Sequence, residues 1–168
     1  MTYRSLKEIK STNSSLYLET VSWLNTLTKE LDNEVGENFV NFVEEILTLD
    51  SPFQTFVQYD EDLNTVTGVA SLVPDDQNVG LEFSLDGFWL GGVNIKREHR
   101  NKRYGTKLIN YFDSYITGLQ IKNLRLNLFT NNPMAIKIYE KVGFLKTNIK
   151  VQREGELNEI YYKVYNST

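Results

Sequence analysis

The first half of the chain opens with apolar residues at helical spacing. They recur every three or four positions over Leu16–Leu31 and again over Val35–Leu47, which predicts two amphipathic helices with a break near Asp32–Asn33. A short strand is predicted ahead of these helices, near Tyr3–Ile9. Ser51-Pro52 then ends the helical region, because the residue before a proline disfavours the helical conformation.

Extended patterns follow in the middle of the chain. Phe53–Tyr59 and Thr65–Val73 are rich in β-branched and aromatic residues and flank a polar turn, which predicts a β-hairpin. After an acidic loop, two further strands are expected at Leu81–Leu85 and Phe88–Ile95. The second of these contains Gly91-Gly92, and glycine inside a strand is typical of a bulge or of a close approach to the backbone.

Helical and extended patterns alternate in the second half. A helix is predicted from Tyr104, with Gly118 as its C-cap, and Leu124–Leu128 alternates with polar residues as a strand does. The next helix is predicted to begin after Asn132, whose side chain is a good N-cap, and to end at Gly143.

Two closing strands are predicted at Phe144–Val151 and Glu159–Tyr165, around a turn at Arg153–Asn158. The element order is therefore helices, antiparallel strands, strand–helix–strand–helix and a final hairpin. This order predicts a mixed α/β (α+β) sheet with one right-handed crossover. Because no repeat or linker interrupts the pattern, we expect a single domain over residues 1–168.

Composition narrows the classes of function. The chain has 168 residues, no Cys and one His, which excludes disulfides, thiolate nucleophiles, Cys-based zinc sites and His-cluster metal sites. The net charge of −4 argues against a nucleic-acid partner. Neither a membrane-length apolar run nor a secretory signal is present, so we expect a cytoplasmic protein with no membrane partner.

Basic residues concentrate between the predicted strand at Phe88–Ile95 and the helix that begins at Tyr104. A strand that leads through a basic loop into a helix can hold phosphate with backbone N–H groups and the helix dipole. We expect a small anionic ligand here, although a solvated charged face is the commoner fate of such a run. The residues of this cluster are Lys96, Arg97, Arg100, Lys102, Arg103 and Lys107.

Two motifs in this half resemble those of the GNAT superfamily of acyl-CoA-dependent N-acyltransferases. The family's pyrophosphate motif, Arg/Gln-x-x-Gly-x-Gly/Ala, is similar to Arg100–Gly105, preceded by the strand Val93-Asn94-Ile95. The second motif, Asn-x-x-Ala-x-x-x-Tyr-Glu-Lys-x-Gly-Phe, is matched at every specified position. The residues that match it are Asn132, Ala135, Tyr139, Glu140, Lys141, Gly143 and Phe144.

The resemblance implies a mostly antiparallel central sheet flanked by helices, with a CoA cleft between splayed strands Phe88–Ile95 and Leu124–Phe129. It implies acetyl-CoA as co-substrate, with no metal. The pantetheine arm would pair with backbone near Val93 and Ile95, and Asn132 would lie near that arm. The implied cofactor-binding residues are Val93, Ile95, Arg100, Asn101, Lys102, Arg103, Tyr104, Gly105, Thr106 and Asn132.

The resemblance also implies direct attack of an amine on the thioester. A backbone N–H near Val93 would stabilise the oxyanion, and Tyr139 would protonate the departing thiolate. Glu82 and Asp86 are candidates for the base, while a role as solvated loop carboxylates stands almost level with that interpretation. Tyr139 has packing on the sheet as its alternative. For His99, packing is favoured over a role as base.

Arg103 departs from the family pattern, which usually has its first loop Gly at this position. A non-Gly residue with positive φ costs roughly 1–2 kcal/mol, so either the loop is helical there or the pocket is altered. The alternative function is a non-catalytic acyl-CoA-binding sensor or interaction module.

The acceptor stays open among polyamine, aminoglycoside, amino acid, protein N-terminus and lysine side chain. Carboxylates ahead of the central strand favour a cationic small molecule, and a homodimer is compatible with the resemblance. These carboxylates are Asp75, Asp76, Glu82 and Asp86.

Overall fold

A computed structural model describes residues 1–30, 36–74, 87–153 and 155–166. The predicted strand Leu81–Leu85, the acidic loop before it and the predicted helix break at Asp32–Asn33 lie outside these residues. The elements in chain order are β1 (Thr2–Ser5), α1 (Leu6–Thr12), α2 (Ser14–Glu30), α3 (Gly36–Leu47), β2 (Gln54–Asp60), β3 (Thr65–Val73), β4 (Phe88–Ile95), a 3₁₀ turn (Arg97–His99), α4 (Tyr104–Gly118), β5 (Leu124–Thr130), α5 (Pro133–Val142), β6 (Leu145–Arg153) and β7 (Glu156–Tyr165).

The strands form a seven-stranded sheet in the order β1-β2-β3-β4-β5-β7-β6. β4 and β5 pair in parallel, whereas β1–β2, β5–β7 and β6–β7 pair antiparallel. The predicted fold class, a mixed and mostly antiparallel sheet with flanking helices, is confirmed. The chain divides into a first unit of Met1–Ser71 and Gly92–Tyr104 and a second unit of Leu72–Gly91 and Gly105–Thr168.

The N-terminal strand of the first unit is shorter than predicted. β1 ends at Ser5, whose hydroxyl accepts a hydrogen bond from the Glu8 N–H at 3.1 Å. This N-cap starts α1 at Leu6, where the sequence analysis continued the strand to Ile9. The helix buries Leu6 and Ile9 completely, so apolar burial at helical spacing overrides the extended pattern.

The two longer helices of the first unit are confirmed. They contribute to a core with α1 and the hairpin of β2 and β3, which was also predicted. The buried residues of this core are Leu6, Ile9, Leu16, Leu24, Val43, Val57, Val66 and Val69. The hairpin thus contributes apolar side chains to the core that it shares with the helices. It also has buried polar residues, which can form hydrogen bonds to neighbouring loops.

In the second unit, α4 buries one apolar face, formed by Leu108, Ile109, Phe112 and Ile116. The helix was predicted correctly, but Gly118 is its last residue and not its left-handed cap. The left-handed position after the helix is Gln120, with φ 53°.

The closing hairpin is tighter than predicted. The expected turn at Arg153–Asn158 is wrong in length, because Arg153 already pairs with Glu156. Gly155 has φ 75°, a left-handed conformation that suits a two-residue connection. The strands therefore extend further than their side-chain pattern suggested.

Candidate functional site

The central strand β4 changes from buried to partly exposed halfway along its length. Trp89 and Leu90 are buried, whereas residues 91–95 are only partly buried. Gly92 has φ 57°, so the strand departs from regular extended geometry at the glycine pair, as predicted. The parallel pairing with β5 joins Phe88 to Leu126 and Trp89 to Asn127. Beyond the glycine pair, Val93 and Ile95 lie on the partly exposed half of the strand.

The segment after β4, residues 96–104, is called the basic loop below. It begins with the 3₁₀ turn Arg97–His99 and continues with Arg100 in an extended conformation. Asn101 and Arg103 then adopt left-handed backbone conformations, with φ 59° and φ 65°. The loop is therefore not helical at Arg103. The chain places an arginine in the conformation that glycine adopts without strain.

The side chains at the tip of the basic loop face solvent. Arg100, Asn101, Lys102 and Arg103 are all exposed. The Arg100 Nε donates to the Ile95 carbonyl at 3.0 Å, which ties this guanidinium to the end of β4. Such a loop can offer several positive side chains to one anion.

Helix α4 starts directly after the loop tip and supplies a second source of anion affinity. Gly105 and Thr106 are in its first turn, which contains no acidic residue. The first N–H groups of a helix have no partner within the helix, and its dipole favours negative charge at this end. Gly105 and Thr106 thus lie at the end of α4 where the helix dipole favours an anion.

The first end of the basic loop is anchored through Lys96. Its Nζ donates to Glu19 Oε1 at 3.1 Å and to Thr65 Oγ1 at 3.2 Å, and it lies 5.7 Å from the centre of the Trp23 ring. Its backbone N–H donates to the Thr67 carbonyl at 2.8 Å. These contacts, called the first anchor, join the loop to α2 and β3 within the first unit.

The second end of the loop is anchored through Tyr104. Its hydroxyl donates to Asp60 Oδ2 at 2.7 Å, and its carbonyl accepts from Gln58 Nε2 at 3.0 Å. Gln58 is fully buried and its Oε1 accepts from Thr67 Oγ1 at 2.9 Å. These contacts form the second anchor. The Tyr104 hydrogen bond lowers the pKa of Asp60 below its ordinary value.

The residues that hold the two anchors could not be identified from sequence patterns. Glu19, Gln58 and Asp60 lie far from the loop in sequence and belong to no motif. The only local signal is polarity at strand positions that are otherwise apolar, such as Gln58 within β2.

His99 is a packing residue in this arrangement. Its side chain is buried, and its ring centre lies 5.2 Å from that of Tyr104. Within the described part of the chain its Nδ1 has no hydrogen-bond partner. The favoured sequence interpretation, a ring that packs beside the loop, agrees with this geometry.

An open pocket of about 360 Å³ lies beside the first anchor, within the first unit. It is lined by α2 residues between Glu19 and Leu27 and by residues 96–98 and Arg100. Both signs of charge line it, and Arg100 is the one member of the predicted cofactor set among its residues. The pocket therefore does not coincide with the predicted cofactor site.

Helix α5, in the second unit, has the predicted caps. Asn132 Oδ1 accepts from the N–H groups of Met134 at 3.0 Å and Ala135 at 3.4 Å, with Pro133 at the first helical position. Gly143 ends the helix in a left-handed conformation with φ 104°. Asn132 thus has a structural role at the start of the helix that carries Tyr139.

Tyr139 lies on the buried face of α5. Its ring makes an edge contact with Phe144, with ring centres 5.7 Å apart. Burial raises the pKa of Tyr139 above its ordinary value, so the phenol keeps its proton across the physiological range. A group that must donate a proton benefits from this state, while the contact with Phe144 also fits simple packing.

The candidates for the base cannot be placed in the same way. Glu82 and Asp86 lie outside the described residues, as do Asp75 and Asp76. In the ranges that the structure covers, no group of three or more His, Asp or Glu side chains could hold a metal ion. Those same ranges contain no helix long and apolar enough to cross a membrane.

The contribution of the Glu19 carboxylate, which is part of the first anchor, can be tested by changing the pH. Burial alone would raise the pKa of Glu19, but hydrogen bonds from Val66, Lys96 and Thr65 hold it below its ordinary value. Its stabilising effect is therefore present above about pH 4.3 and is lost as the pH falls through the lowered pKa. We expect Glu19→Gln to lower the free energy of unfolding by about 1 kcal/mol at pH 7, since the pair is partly exposed.

Urea unfolding at pH 7 and pH 3 would measure this effect, with the difference between Glu19→Gln and wild type shrinking at the lower pH. Glu45→Gln, at an exposed position of α3, is the control and should behave as wild type at both values. A difference that stays constant with pH would contradict a role for the Glu19 charge.

Comparison with known proteins identifies the family of the chain. The family model described as the acetyltransferase (GNAT) family matches residues 18–144. No curated protein shows a significant sequence match to the chain. Solved structures of several acetyltransferases share its fold.

An aminoglycoside 6′-acetyltransferase type Ii is 18% identical, with a TM-score of 0.67 over 98% of this chain and 97% of that chain. An aminoglycoside 6′-N-acetyltransferase complexed with coenzyme A is 13% identical, with a TM-score of 0.66 over 98% and 97%. A spermidine N-acetyltransferase variant from Vibrio cholerae is 18% identical, with a TM-score of 0.64 over 98% and 95%. At these identities the likeness shows a shared fold.

The family model covers well over half of the chain, and the sheet order and the two motifs agree with it. The chain belongs to the acetyltransferase (GNAT) family. It is an enzyme of the acyltransferase class, and acetyl-CoA is the co-substrate that this family uses.

Proposed function

We propose that the chain transfers the acetyl group of acetyl-CoA to a primary amine of a small cationic acceptor, within a ternary complex. The observation that carries this proposal is the exposed basic loop that leads directly into the first turn of α4. Basic side chains and the start of a helix, whose dipole favours negative charge, follow one another there, which is the chemistry that a pyrophosphate group requires.

The residues of the loop and of β4 have distinct roles in this proposal. Arg100, Lys102 and Arg103 supply positive charge to the pyrophosphate, while the backbone from Asn101 to Thr106 supplies N–H donors. The backbone of Val93 and Ile95 pairs with the pantetheine arm, and the partial exposure of this half of β4 supports that role. Asn132 lies near the same arm.

The chemical step is a direct acyl transfer. The neutral amine attacks the thioester carbonyl, a C–N bond forms, and the carbonyl oxygen takes negative charge that an N–H near Val93 stabilises. The C–S bond then breaks and CoA leaves as a thiolate, which Tyr139 protonates. The proton lost by the amine passes to Glu82 or Asp86, directly or through water.

An acetyl-transfer assay with a panel of amines tests the proposal. Incubation with acetyl-CoA should release CoA thiol in the presence of an accepted amine, and titration calorimetry should detect acetyl-CoA binding without any amine. Binding without release for every amine would favour the alternative, a non-catalytic acyl-CoA sensor. No binding at millimolar acetyl-CoA would overturn the cofactor assignment.

The nature of the acceptor rests on two observations of different kind. Several proteins with this fold are described as aminoglycoside or spermidine acetyltransferases, whose acceptors are polycations. The segment before β4 carries four carboxylates within twelve residues of this chain. A polyamine or aminoglycoside therefore belongs at the head of the amine panel.

The acidic segment yields a prediction about the base and the acceptor. Glu82→Gln and Asp86→Asn should each be tested with the best cationic amine, and at least one should lower kcat/KM about 10-fold, because it removes an attracting charge or the base. The affinity for CoA should not change. Steady-state kinetics from pH 6 to 9 would measure this, and full kcat/KM in both variants would assign these carboxylates to the surface.

A further inference from the structure

The basic loop holds two residues in a conformation that their side chains disfavour. Asn101 and Arg103 both have positive φ, at 59° and 65°. Asparagine tolerates this region comparatively well, whereas arginine does not. Strained positions of this kind persist only where the surrounding structure over-determines them. Contacts with the rest of the protein must therefore hold the backbone of residues 101–103 in place.

The contacts that do so lie at both ends of the loop. The first anchor fixes Lys96 to Glu19 and Thr65, and Lys96 is 11% exposed at its side chain. The second anchor fixes Tyr104 to Asp60 through its hydroxyl and to Gln58 through its carbonyl. All of these residues belong to the first unit, so the ends of the strained stretch are bound to one set of elements.

The second anchor is better placed than the first to hold Arg103 in its left-handed conformation. Tyr104 directly follows Arg103, so a hydrogen bond at each side of its Cα limits the rotation that would relieve φ at Arg103. Asp60 is itself fixed, because its Oδ1 accepts from the N–H groups of Asp62 at 3.0 Å and Leu63 at 3.2 Å. Gln58 is fixed by Thr67. The anchor is thus a rigid group of side chains on β2 and its turn.

We propose that Asp60 and Gln58 are positioning residues for the cofactor loop, which they hold through Tyr104 in the left-handed conformation that a glycine at position 103 would adopt unaided. The inference rests on the proposed binding of acetyl-CoA by this loop. Arg103 adds a positive charge at a position where the family motif usually has glycine, and the second anchor offsets the backbone strain.

Removal of the second anchor should weaken CoA binding, and Arg103→Gly should make that loss smaller. Tyr104→Phe removes only the hydroxyl that binds Asp60, so the loop should relax out of the binding conformation for much of the time. Apparent affinity scales with the fraction of competent molecules, and a fall to between about 10 and 20% would weaken CoA binding about 5- to 10-fold. Asp60→Ala should cause a loss at least as large, because it removes the acceptor of the same hydrogen bond.

Arg103→Gly provides a second background in which the effect of Tyr104→Phe on CoA binding can be measured. Glycine adopts positive φ without strain, so the loop no longer needs the anchor. Within this background, adding Tyr104→Phe should weaken CoA binding less than about 2-fold by the same population argument. A residue that touched CoA directly would show the same loss in both backgrounds, as would a general loss of stability.

Tyr59→Phe is the matched control. It removes a hydroxyl from the same strand, where Tyr59 bonds to Asn64 in the turn after β2. This hydrogen bond does not involve the basic loop, so CoA affinity should stay at the wild-type value. A loss equal to that of Tyr104→Phe would attribute the effect to the hairpin as a whole and would overturn the inference.

Titration calorimetry with CoA and amide hydrogen exchange without it complete the experiment. Exchange at residues 101–106 should be faster in Tyr104→Phe than in wild type, and the increase should be smaller in the Arg103→Gly background. Unchanged exchange overturns the inference whether or not CoA binds. If the wild-type protein fails to bind CoA, the proposed function fails, while the exchange data still decide whether the anchor holds the loop.

Discussion

Tyr139→Phe is expected to lower kcat about 100-fold with the best amine acceptor, near the low end of what general acid catalysis contributes. The substitution removes only the phenolic hydroxyl. The edge contact between the rings of Tyr139 and Phe144 is preserved in a phenylalanine, so the fold of α5 should not change. CoA affinity should also be retained, because the proposed phosphate contacts lie on the basic loop and the start of α4.

The expected size follows from the acidity of the two groups. A thiol has a pKa near 8.5, and the ordinary value for tyrosine is near 10. Burial raises the pKa of Tyr139 further. Tyr139 is therefore always protonated between pH 6 and 9, but it is a weaker acid than the leaving thiol. Proton transfer from Tyr139 to the departing sulfur is therefore energetically uphill, which places the effect toward the lower limit.

The raised pKa of Tyr139 also predicts how kcat depends on pH. Because Tyr139 does not titrate between pH 6 and 9, the pH dependence of kcat in this range should come from the amine and its base. Wild type and Tyr139→Phe should therefore show pH profiles of the same shape, displaced vertically. A limb that disappears in the variant would contradict the raised pKa.

Tyr165→Phe is the matched control in the same unit. Tyr165 is also buried, and its hydroxyl donates to Asp113 on α4, which also binds Lys163. Removal of this hydroxyl leaves a partly buried acceptor with one partner fewer, so unfolding should become easier by about 1 kcal/mol while kcat stays constant. If Tyr139→Phe behaved like this control, Tyr139 would be a packing residue.

The parts of the site that could be predicted from the sequence are those fixed by local chemistry. Asn132 as an N-cap, Gly143 as a left-handed C-cap and the helix between them follow from neighbouring residues alone. The hairpin of β2 and β3 follows from two segments rich in β-branched and aromatic residues on either side of a polar turn. In each case the cause and the effect lie within a few residues, so a single sequence carries the information.

The parts that could not be predicted depend on contacts between distant residues. The hydrogen bond from Tyr104 to Asp60 spans 44 positions, and that from Lys96 to Glu19 spans 77. The left-handed backbone at Arg103 could not be predicted because the residue itself disfavours it. The helix at Leu6 overrode an extended pattern because Ser5 caps it and the core buries it. Strain and burial are properties of the folded chain.

Gly105→Val is expected to weaken CoA binding between about 10- and 100-fold without loss of stability. Gly105 lies in the first turn of α4 and has helical backbone, so any residue can adopt its conformation. Glycine is a poor helix former, and valine is better by a few tenths of a kcal/mol. The helix therefore gains nothing from a glycine here, and close approach of a phosphate to the backbone is the reason we propose for it.

The magnitude follows from the hydrogen bonds at risk. A side chain at position 105 would stand over the N–H groups of the first turn and keep a phosphate from reaching them. Hydrogen bonds to a charged group contribute about 1.5–3 kcal/mol each, and every 1.4 kcal/mol changes affinity about 10-fold. Loss of one such bond therefore gives the range stated, which titration calorimetry with CoA can measure.

Gly118→Val makes the matched control, since it introduces the same side chain at the other end of the same helix. Among the residues that the structure describes, a Cβ at Gly118 meets no atom within 4 Å, so the substitution should be tolerated without steric cost. Both variants should unfold at or slightly above the wild-type temperature, because both replace glycine in a helix. Only Gly105→Val should lose CoA affinity. Equal affinity in the two variants would show that the phosphate does not approach the first turn of α4, and the cofactor loop would have to be sought elsewhere in the chain.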